Sequence, residues 1–178
     1  SYYGQSDGPG ATTADGGRGV FNTGAELSTK ASRVWENAHS RTFNVNGLRH
    51  IIQPSVNYAY VPAPSRSPME LPQFDGELPS FFELPIDFPD YNSIDSIDAQ
   101  NVIRLGLRNK LQTKRPPGME DVVWWNMYID WRLQPQPGQS RFSNFYNEIS
   151  LRPRSWLILQ SQVQLDVDTG HLQQALNS

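Results

Sequence analysis

The side chains that could do metal or nucleophilic chemistry in this sequence are few and widely separated. The three histidines, His39, His50 and His171, have no second ligand near them at the spacing that metal sites use. There are no cysteines, so thiolate ligands and disulfides are excluded. No glycine-rich phosphate loop, nucleophile elbow or Ser/His/Asp arrangement stands out. We therefore predict no enzyme activity, no metal site and no bound cofactor.

Acidic side chains are the next candidates for chemistry. Pairs such as Asp87/Asp90 and Asp95/Asp98 have the residue types of a paired-carboxylate hydrolase, but they stand in a proline-rich stretch with no regular element to fix their separation. Solvated loop acids are the simpler interpretation. A further hypothesis is that the acids of residues 70–98 bind divalent cations, which prefer oxygen ligands and could bridge phosphorylated lipid headgroups.

Five basic residues could bind an anion without any catalysis. They share the polar side of the predicted strands: Arg104, Arg108, Lys110, Arg132 and Arg152. Guanidinium and ammonium groups on a hydrated face could guide an anionic glycolipid. A hydrated barrel wall in which these charges pair with neighbouring acids explains them equally well.

One stretch, residues 122–133, predicts the kind of element that positions these side chains. Every second residue in it is apolar: Val123, Trp125, Met127, Ile129, Trp131 and Leu133. The residues between them are mixed polar and aromatic: Val122, Trp124, Asn126, Tyr128, Asp130 and Arg132. Because successive side chains of a strand point to opposite faces, this pattern predicts a β-strand with one wholly apolar face.

The same alternation predicts six strands and the start of a seventh, in up-and-down order and with no helix. The strands cover residues 19–35, 48–62, 101–113, 121–133, 145–152 and 156–167, and the seventh begins at His171. Pro54 cannot donate a ladder hydrogen bond, so we expect a bulge or an unpaired edge there. Asn46-Gly47 is expected to form a tight turn. A chain that stops inside a hairpin is expected to be a piece of a longer protein.

The chain is expected to have a flexible start and a long insertion in one folded unit. Residues 1–18 are rich in glycine and are predicted to be flexible. Residues 19–178 form the predicted partial barrel, interrupted by a proline-rich acidic loop at 62–99. That loop has eight acids and one arginine, a net charge of −7, so the remainder of the chain has +4 because the total is −3.

The bulk properties argue against two classes of protein. With a net charge of −3, the chain shows no sign of binding nucleic acid, which usually needs a basic face. No apolar run approaches the roughly 18 residues that a membrane-spanning helix needs. The first residues lack the basic and apolar regions of a signal peptide, so we expect that one was removed or that the sequence is an internal segment.

Alternation alone leaves open what the apolar face contacts. In a soluble sandwich the apolar faces pack together, whereas in a membrane barrel they meet lipid around a wet lumen. Mixed charges on the polar faces favour the barrel, as do strands of about ten residues, which span roughly 23 Å when tilted. Aromatic residues near strand ends also favour it: Trp35, Tyr58, Tyr60, Trp124, Trp125, Trp131, Tyr146 and Trp156. A soluble carbohydrate-binding sandwich and a passive porin-like barrel stay open as alternatives.

Three short motifs narrow this choice. They are a P-x-x-x-Y-x-Y-V-P strand, a P-x-F-D element in the long loop, and a D-x-I-x-x-x-N lead into the following strand. Their residues are Pro54, Tyr58, Tyr60, Val61 and Pro62; Pro72, Phe74 and Asp75; and Asp95, Ile97 and Asn101. In combination they resemble the barrel of the lipopolysaccharide-assembly family LptD, also called OstA or Imp. The resemblance covers about residues 48–175, and the family's Gly-x-Asp-Arg element, N-terminal jelly-roll domain and cysteines are missing here.

The resemblance implies part of a transmembrane β-barrel in a Gram-negative outer membrane. Members of this family export lipopolysaccharide through a lateral opening into the outer leaflet, and no bond is made or broken in the barrel. The implied partners are lipopolysaccharide, outer-membrane lipids, a plug lipoprotein of the LptE type and periplasmic bridge proteins.

Overall fold

The computed structural model describes residues 2–3, 16–17, 19, 21–65, 99–116 and 118–178. Its strands are β1 (Tyr2–Tyr3), β2 (Gly16–Gly17), β3 (Thr23–Ser28), β4 (Ala31–Ser40), β5 (Val45–Val61), β6 (Gln100–Arg115), β7 (Gly118–Arg132), β8 (Phe145–Arg154), β9 (Leu157–Leu165) and β10 (Leu172–Asn177). Among the described residues, none belongs to a helix long and apolar enough to cross a membrane.

Strands β3 to β10 form one antiparallel sheet. Its order is β10-β9-β8-β7-β6-β5-β3, with β4 also paired to β5, while β1 and β2 pair with each other. The prediction of an all-β, antiparallel, up-and-down meander is confirmed. β10 lies at one edge and β3 with β4 at the other, so the described sheet is not closed. By backbone proximity, each described strand neighbours only the strands with which it is paired, so this part of the chain is a single layer.

Strands β3 and β4 are two halves of one edge strand. Both pair with β5 in the same register: Ser28 stands opposite Ser55, and Ala31 stands opposite Ile52. The predicted strand over 19–35 is therefore nearly continuous in the fold, with a short interruption between its halves.

The interruption falls opposite Pro54, where the break was expected. Thr29 N–H donates to the Pro54 carbonyl at 3.2 Å, but proline has no N–H to return to Thr29. On its other side, Pro54 pairs with Leu107 in an unbroken β5–β6 ladder. The missing donor therefore points toward the edge strand and leaves the interior of the sheet intact.

The connection between β4 and β5 differs from its prediction. The turn occupies residues 41–44, and Asn46-Gly47 lies inside β5. Gly47 has a φ of 73° and stands across from the register shift of β4 between Trp35 and His39. The tight-turn prediction was wrong because a positive φ serves a β-bulge as well as a turn.

The two faces of the sheet differ in chemistry. We call the face with these β5 residues the polar face: Arg49, Ile51, Gln53, Ser55, Asn57, Ala59 and Val61. The apolar face has the alternate β5 residues: Leu48, His50, Ile52, Pro54, Val56, Tyr58 and Tyr60. Strand pairing extends each face across β6 to β9.

Burial is greatest on the polar face. The described buried hydrophobic residues all lie there: Ile51, Ala59, Val61, Val102 and Tyr128. The apolar face is more exposed, since Val56, Leu105 and Leu159 keep 42%, 43% and 46% of their surface accessible. The core of this sheet therefore lies on the side that carries the charges.

Several predicted residues lie outside the part of the chain that the structure describes. These are the loop residues 66–98, and with them Phe74, Asp75, Asp95 and both acid pairs. Residues 4–15 of the predicted flexible start lie outside it too.

Candidate functional site

Four of the five predicted basic residues share the polar face. Arg104, Arg108 and Lys110 alternate along β6, and Arg132 follows on β7. Arg152 lies near the end of β8, in the irregular stretch where β8 and β9 lose their register. The irregularity leaves Arg152 outside the regular pairing that places the other four on the polar face.

Arg104 is neutralised by a neighbouring carboxylate. Its Nε donates to Asp130 Oδ1 at 2.6 Å and its Nη2 donates to Oδ2 at 2.9 Å, the two-pronged geometry that gives strong ion pairs. The guanidinium carbon lies 4.8 Å from the ring centre of Tyr128, which stacks on Tyr146 at 4.5 Å. Arg104 thus belongs to a cross-strand structural network.

Arg132 fixes a loop. Its Nη1 donates to the carbonyl oxygens of Ser140 and Phe142, each at 2.9 Å. These bonds hold the β7–β8 connection against the end of β7. Of the predicted polar-face cations, Arg108 and Lys110 are left with side chains that point into a common space.

That space is a cavity of about 290 Å³ on the polar face. Four cations line it: Lys30, Arg49, Arg108 and Lys110. Neutral side chains complete the lining: Ile51, Gln53 and Gln112. We call this arrangement the cationic cavity.

Strand pairing explains how the cationic cavity forms. Across β5 and β6, Arg49 pairs with Gln112, Ile51 with Lys110, and Gln53 with Arg108. Lys30 stands opposite Gln53 at the interruption of the edge strand. Side chains from the edge strand, from β5 and from β6 therefore converge around Ile51.

One carboxylate approaches the cationic cavity. Asp121 Oδ2 lies 3.6 Å from Lys110 Nζ, and Asp121 Oδ1 accepts a hydrogen bond from Gln112 at 2.7 Å. Among the described residues, no carboxylate forms an ion pair with Lys30, Arg49 or Arg108. Counted over the described residues that line the cavity and the one acid paired to them, four cations and one carboxylate give a charge of +3. Such an excess on a partly shielded face attracts anions.

Sequence reasoning missed Lys30 and Arg49 as members of this site. Each lies on the same side of its strand as other polar residues, so the alternation alone assigns each to a polar face. They are brought close to Arg108 and Lys110 only by the register in which β5 pairs with β6. That register joins residues more than 50 positions apart in the sequence.

A buried charge at the last residue of β6, three residues beyond Gln112, bonds to neighbouring hairpins. We call this group the turn cluster: Arg115, Glu120, and the carbonyls of Phe43, Asn44, Arg152 and Pro153. The Arg115 side chain is only 1% exposed, and its Nη1 lies 3.1 Å from Glu120 Oε2. Because the guanidinium donors already have protein acceptors, the cluster is structural and has no free group for a ligand.

Two cross-strand polar pairs lie on the apolar face. His50 Nε2 and Asn109 Oδ1 lie 3.2 Å apart, and Trp125 Nε1 donates to Asn147 Oδ1 at 2.6 Å. This pairing lowers the cost of placing polar groups against an apolar medium.

Aromatic residues border the apolar face at both ends. Near the long loop these are Tyr58, Tyr60, Trp131 and Phe142, and near the turn cluster they are Trp35, Phe43 and Trp156. Three aromatics do not fit the predicted border. Trp124 and Tyr146 belong to the polar face, and Trp125 pairs with Asn109 and Ile149 away from the strand ends.

The remaining motif residues lie along β5 and at the start of β6. Tyr60 pairs with Asn101, and Pro62 follows the end of β5. Within the described ranges, no group of three or more His, Asp or Glu side chains could hold a metal ion. His39 lies in the β4–β5 hairpin, far in sequence from His171.

Comparison with protein-family models gave no match, and neither the curated proteins nor the solved structures gave one.

Proposed function

We propose that this chain forms part of an outer-membrane β-barrel that takes part in lipopolysaccharide assembly and export. The main support is the exposed apolar face: Leu27, Leu105 and Leu159 are 75%, 43% and 46% accessible, and no other described strand covers them. An apolar surface of this extent is costly in water and is stable against lipid.

The dimensions of the apolar face agree with this proposal. Tyr58, in one aromatic border, and Leu48, which pairs with Trp35 in the other, are ten residues apart on β5. Ten residues rise about 33 Å along a strand, or about 23 Å across a membrane at a 45° tilt. The apolar band of outer-membrane barrels is about 25 Å tall.

The polar face supplies the second line of support. Its ion pair, stacked tyrosines and cationic cavity suit a hydrated lumen through which a charged glycolipid passes. Together with the resemblance in residues 48–175, these features favour LptD-like export over other roles. The partners under this proposal are lipopolysaccharide, outer-membrane lipids, a plug lipoprotein and periplasmic bridge proteins, and the chain makes and breaks no bonds.

A passive porin-like barrel is the second candidate. The bidentate pair between Arg104 and Asp130 on the polar face would equally suit the polar wall of a water-filled channel. A soluble carbohydrate-binding sandwich has less support, because it needs a second sheet against the apolar face and the described strands provide none.

Refolding into phosphatidylcholine vesicles tests the membrane part of the proposal. Leu105→Arg places a charge on the apolar face and should lower the free energy of unfolding by about 2–4 kcal/mol. Gln164→Arg, on the polar face of β9, is the matched control and should change it little. A chain that stays folded and monodisperse in plain buffer would contradict the membrane assignment.

Depletion of the protein in its own cell tests the export part. Loss of surface lipopolysaccharide, with unchanged permeation of small solutes, would support export. The reverse result would favour the porin-like candidate.

A further inference from the structure

We propose that the cationic cavity is a binding site for a phosphate group. Its four cations, Lys30, Arg49, Arg108 and Lys110, surround one polar-face space of about 290 Å³. This inference adds a specific ligand chemistry to the proposed export role, but its physical basis is the cavity alone.

The spacing of the cations suits a single small anion. Arg108 and Lys110 are two residues apart on one face of β6, a separation of about 7 Å between Cα atoms. Lys30 is two strand positions from Arg108, about 10 Å away, with Gln53 between them. Lysine and arginine side chains are long enough to reach halfway across these separations. The four charged groups can therefore approach one another above Ile51.

The floor of the cavity strengthens its electrostatics. Ile51, which lines the cavity, is only 6% exposed. A partly dehydrated floor raises the strength of any charge interaction above it. Gln53 adds a neutral amide to the lining, whereas the Gln112 amide already donates to Asp121.

The charge balance selects a multivalent oxyanion over a halide or a carboxylate. A phosphate group has up to two negative charges and three or four acceptor oxygens, which match guanidinium forks and ammonium donors together. The local charge of +3 leaves an excess that one carboxylate would not neutralise. Arg108 pairs with Asn126 on β7, and Asn126 pairs with Glu148 on β8. Glu148 is therefore one strand beyond Asn126, and it accepts a hydrogen bond from Gln162.

The test is isothermal titration of the full 178-residue chain, refolded in non-ionic detergent micelles, with sodium pyrophosphate and inorganic phosphate as probes. The double variant Arg49→Gln/Arg108→Gln should bind each probe at least about tenfold more weakly, because each arginine supplies a charge-assisted hydrogen bond. The matched control is Arg41→Gln/Arg141→Gln, which removes the same charge from two exposed positions. The control should bind within about twofold of the parent.

Two results would overturn the proposal. One is the absence of saturable binding by a parent chain that is folded by circular dichroism. The other is an equal loss of affinity in both double variants, which would indicate attraction by net charge alone.

A further titration distinguishes a lipid headgroup from a soluble phosphate as the ligand. Micelles doped with phosphatidic acid present the same group on a lipid. Tighter binding to the doped micelles than to inorganic phosphate would identify a lipid headgroup as the ligand, and the opposite order would identify a soluble phosphate. Neither arm requires export activity, so a failure here leaves the membrane proposal standing, and a failure of export leaves the phosphate site standing.

Discussion

Arg115 donates from Nη2 to the carbonyl oxygen of Phe43 at 2.7 Å, across 72 residues of sequence. The same nitrogen donates to the Pro153 carbonyl at 2.9 Å, so the two oxygens lie within about 6 Å of each other. Phe43 lies in the turn that precedes β5 and Pro153 lies near the end of β8, two strands that would be about 14 Å apart in a flat sheet. One guanidinium therefore draws together two hairpins that are three strand spacings apart.

Removal of this guanidinium should destabilise the sheet severely. Arg115→Met leaves Glu120 and several carbonyls without their donor, so the free energy of unfolding should fall by about 3–5 kcal/mol. Urea denaturation of the refolded chain, followed by tryptophan fluorescence, measures the change. Arg141→Met removes an exposed arginine and should have little effect. Equal behaviour of the two variants would contradict the structural role of Arg115.

The ion pair between Arg104 and Asp130 should show strong coupling. Asp130→Asn leaves a half-buried guanidinium without its charged partner and should cost roughly 2–3 kcal/mol. Arg104→Gln/Asp130→Asn should cost less than the sum of the two single variants, by about 1–3 kcal/mol in a double-mutant cycle. Additive effects would mean that the pair contributes nothing beyond packing.

Gly106 should be sensitive to a single methyl group. A Cβ at this position would lie 2.6 Å from Ser55 Oγ on the neighbouring strand. Gly106→Ala should therefore force the Ser55 hydroxyl out of its present rotamer and lower the free energy of unfolding by about 1 kcal/mol. Because Ser55→Ala removes the opposing hydroxyl, the Gly106→Ala/Ser55→Ala double variant should recover most of that loss. A double variant as unstable as Gly106→Ala would place the strain elsewhere.

The β9–β10 turn should weaken in acid. Backbone N–H groups of Thr169 and Asp168 donate to the Asp166 carboxylate and hold its pKa below the usual value near 3.8. A lowered folded-state pKa means that the ionised carboxylate stabilises the turn above its unfolded pKa, and that this contribution is lost as pH falls through the folded pKa.

Carbon-13 NMR titration of Asp166 measures this directly, and its midpoint should lie below 3.8. Asp166→Asn should speed hydrogen exchange at the amides of residues 168 and 169 and remove the pH dependence that the parent shows below the ordinary aspartate pKa of about 3.9. A midpoint at or above the usual value would refute the capping role.

The strands and their faces were predictable because alternation is local. The break at Pro54 was predictable for the same reason, since the missing N–H belongs to one residue. The Asn46-Gly47 turn was wrongly predicted because a dipeptide does not reveal whether its positive φ serves a turn or a bulge. Lys30 and Arg115 acquire their roles only through pairing with distant strands and turns. The sequence of a single strand does not reveal the register in which it pairs.

The interruption at Pro54 makes the edge strand into two separable segments. The segment from Thr23 to Ser28 forms six residue pairs with β5. The segment that begins at Ala31 forms a separate group of residue pairs with β5. Thermal fraying that starts in one segment should therefore halt at Thr29, because Pro54 cannot donate a return hydrogen bond to it. The border of this sheet should open in two independent steps, and the first can occur while the interior ladders stay closed.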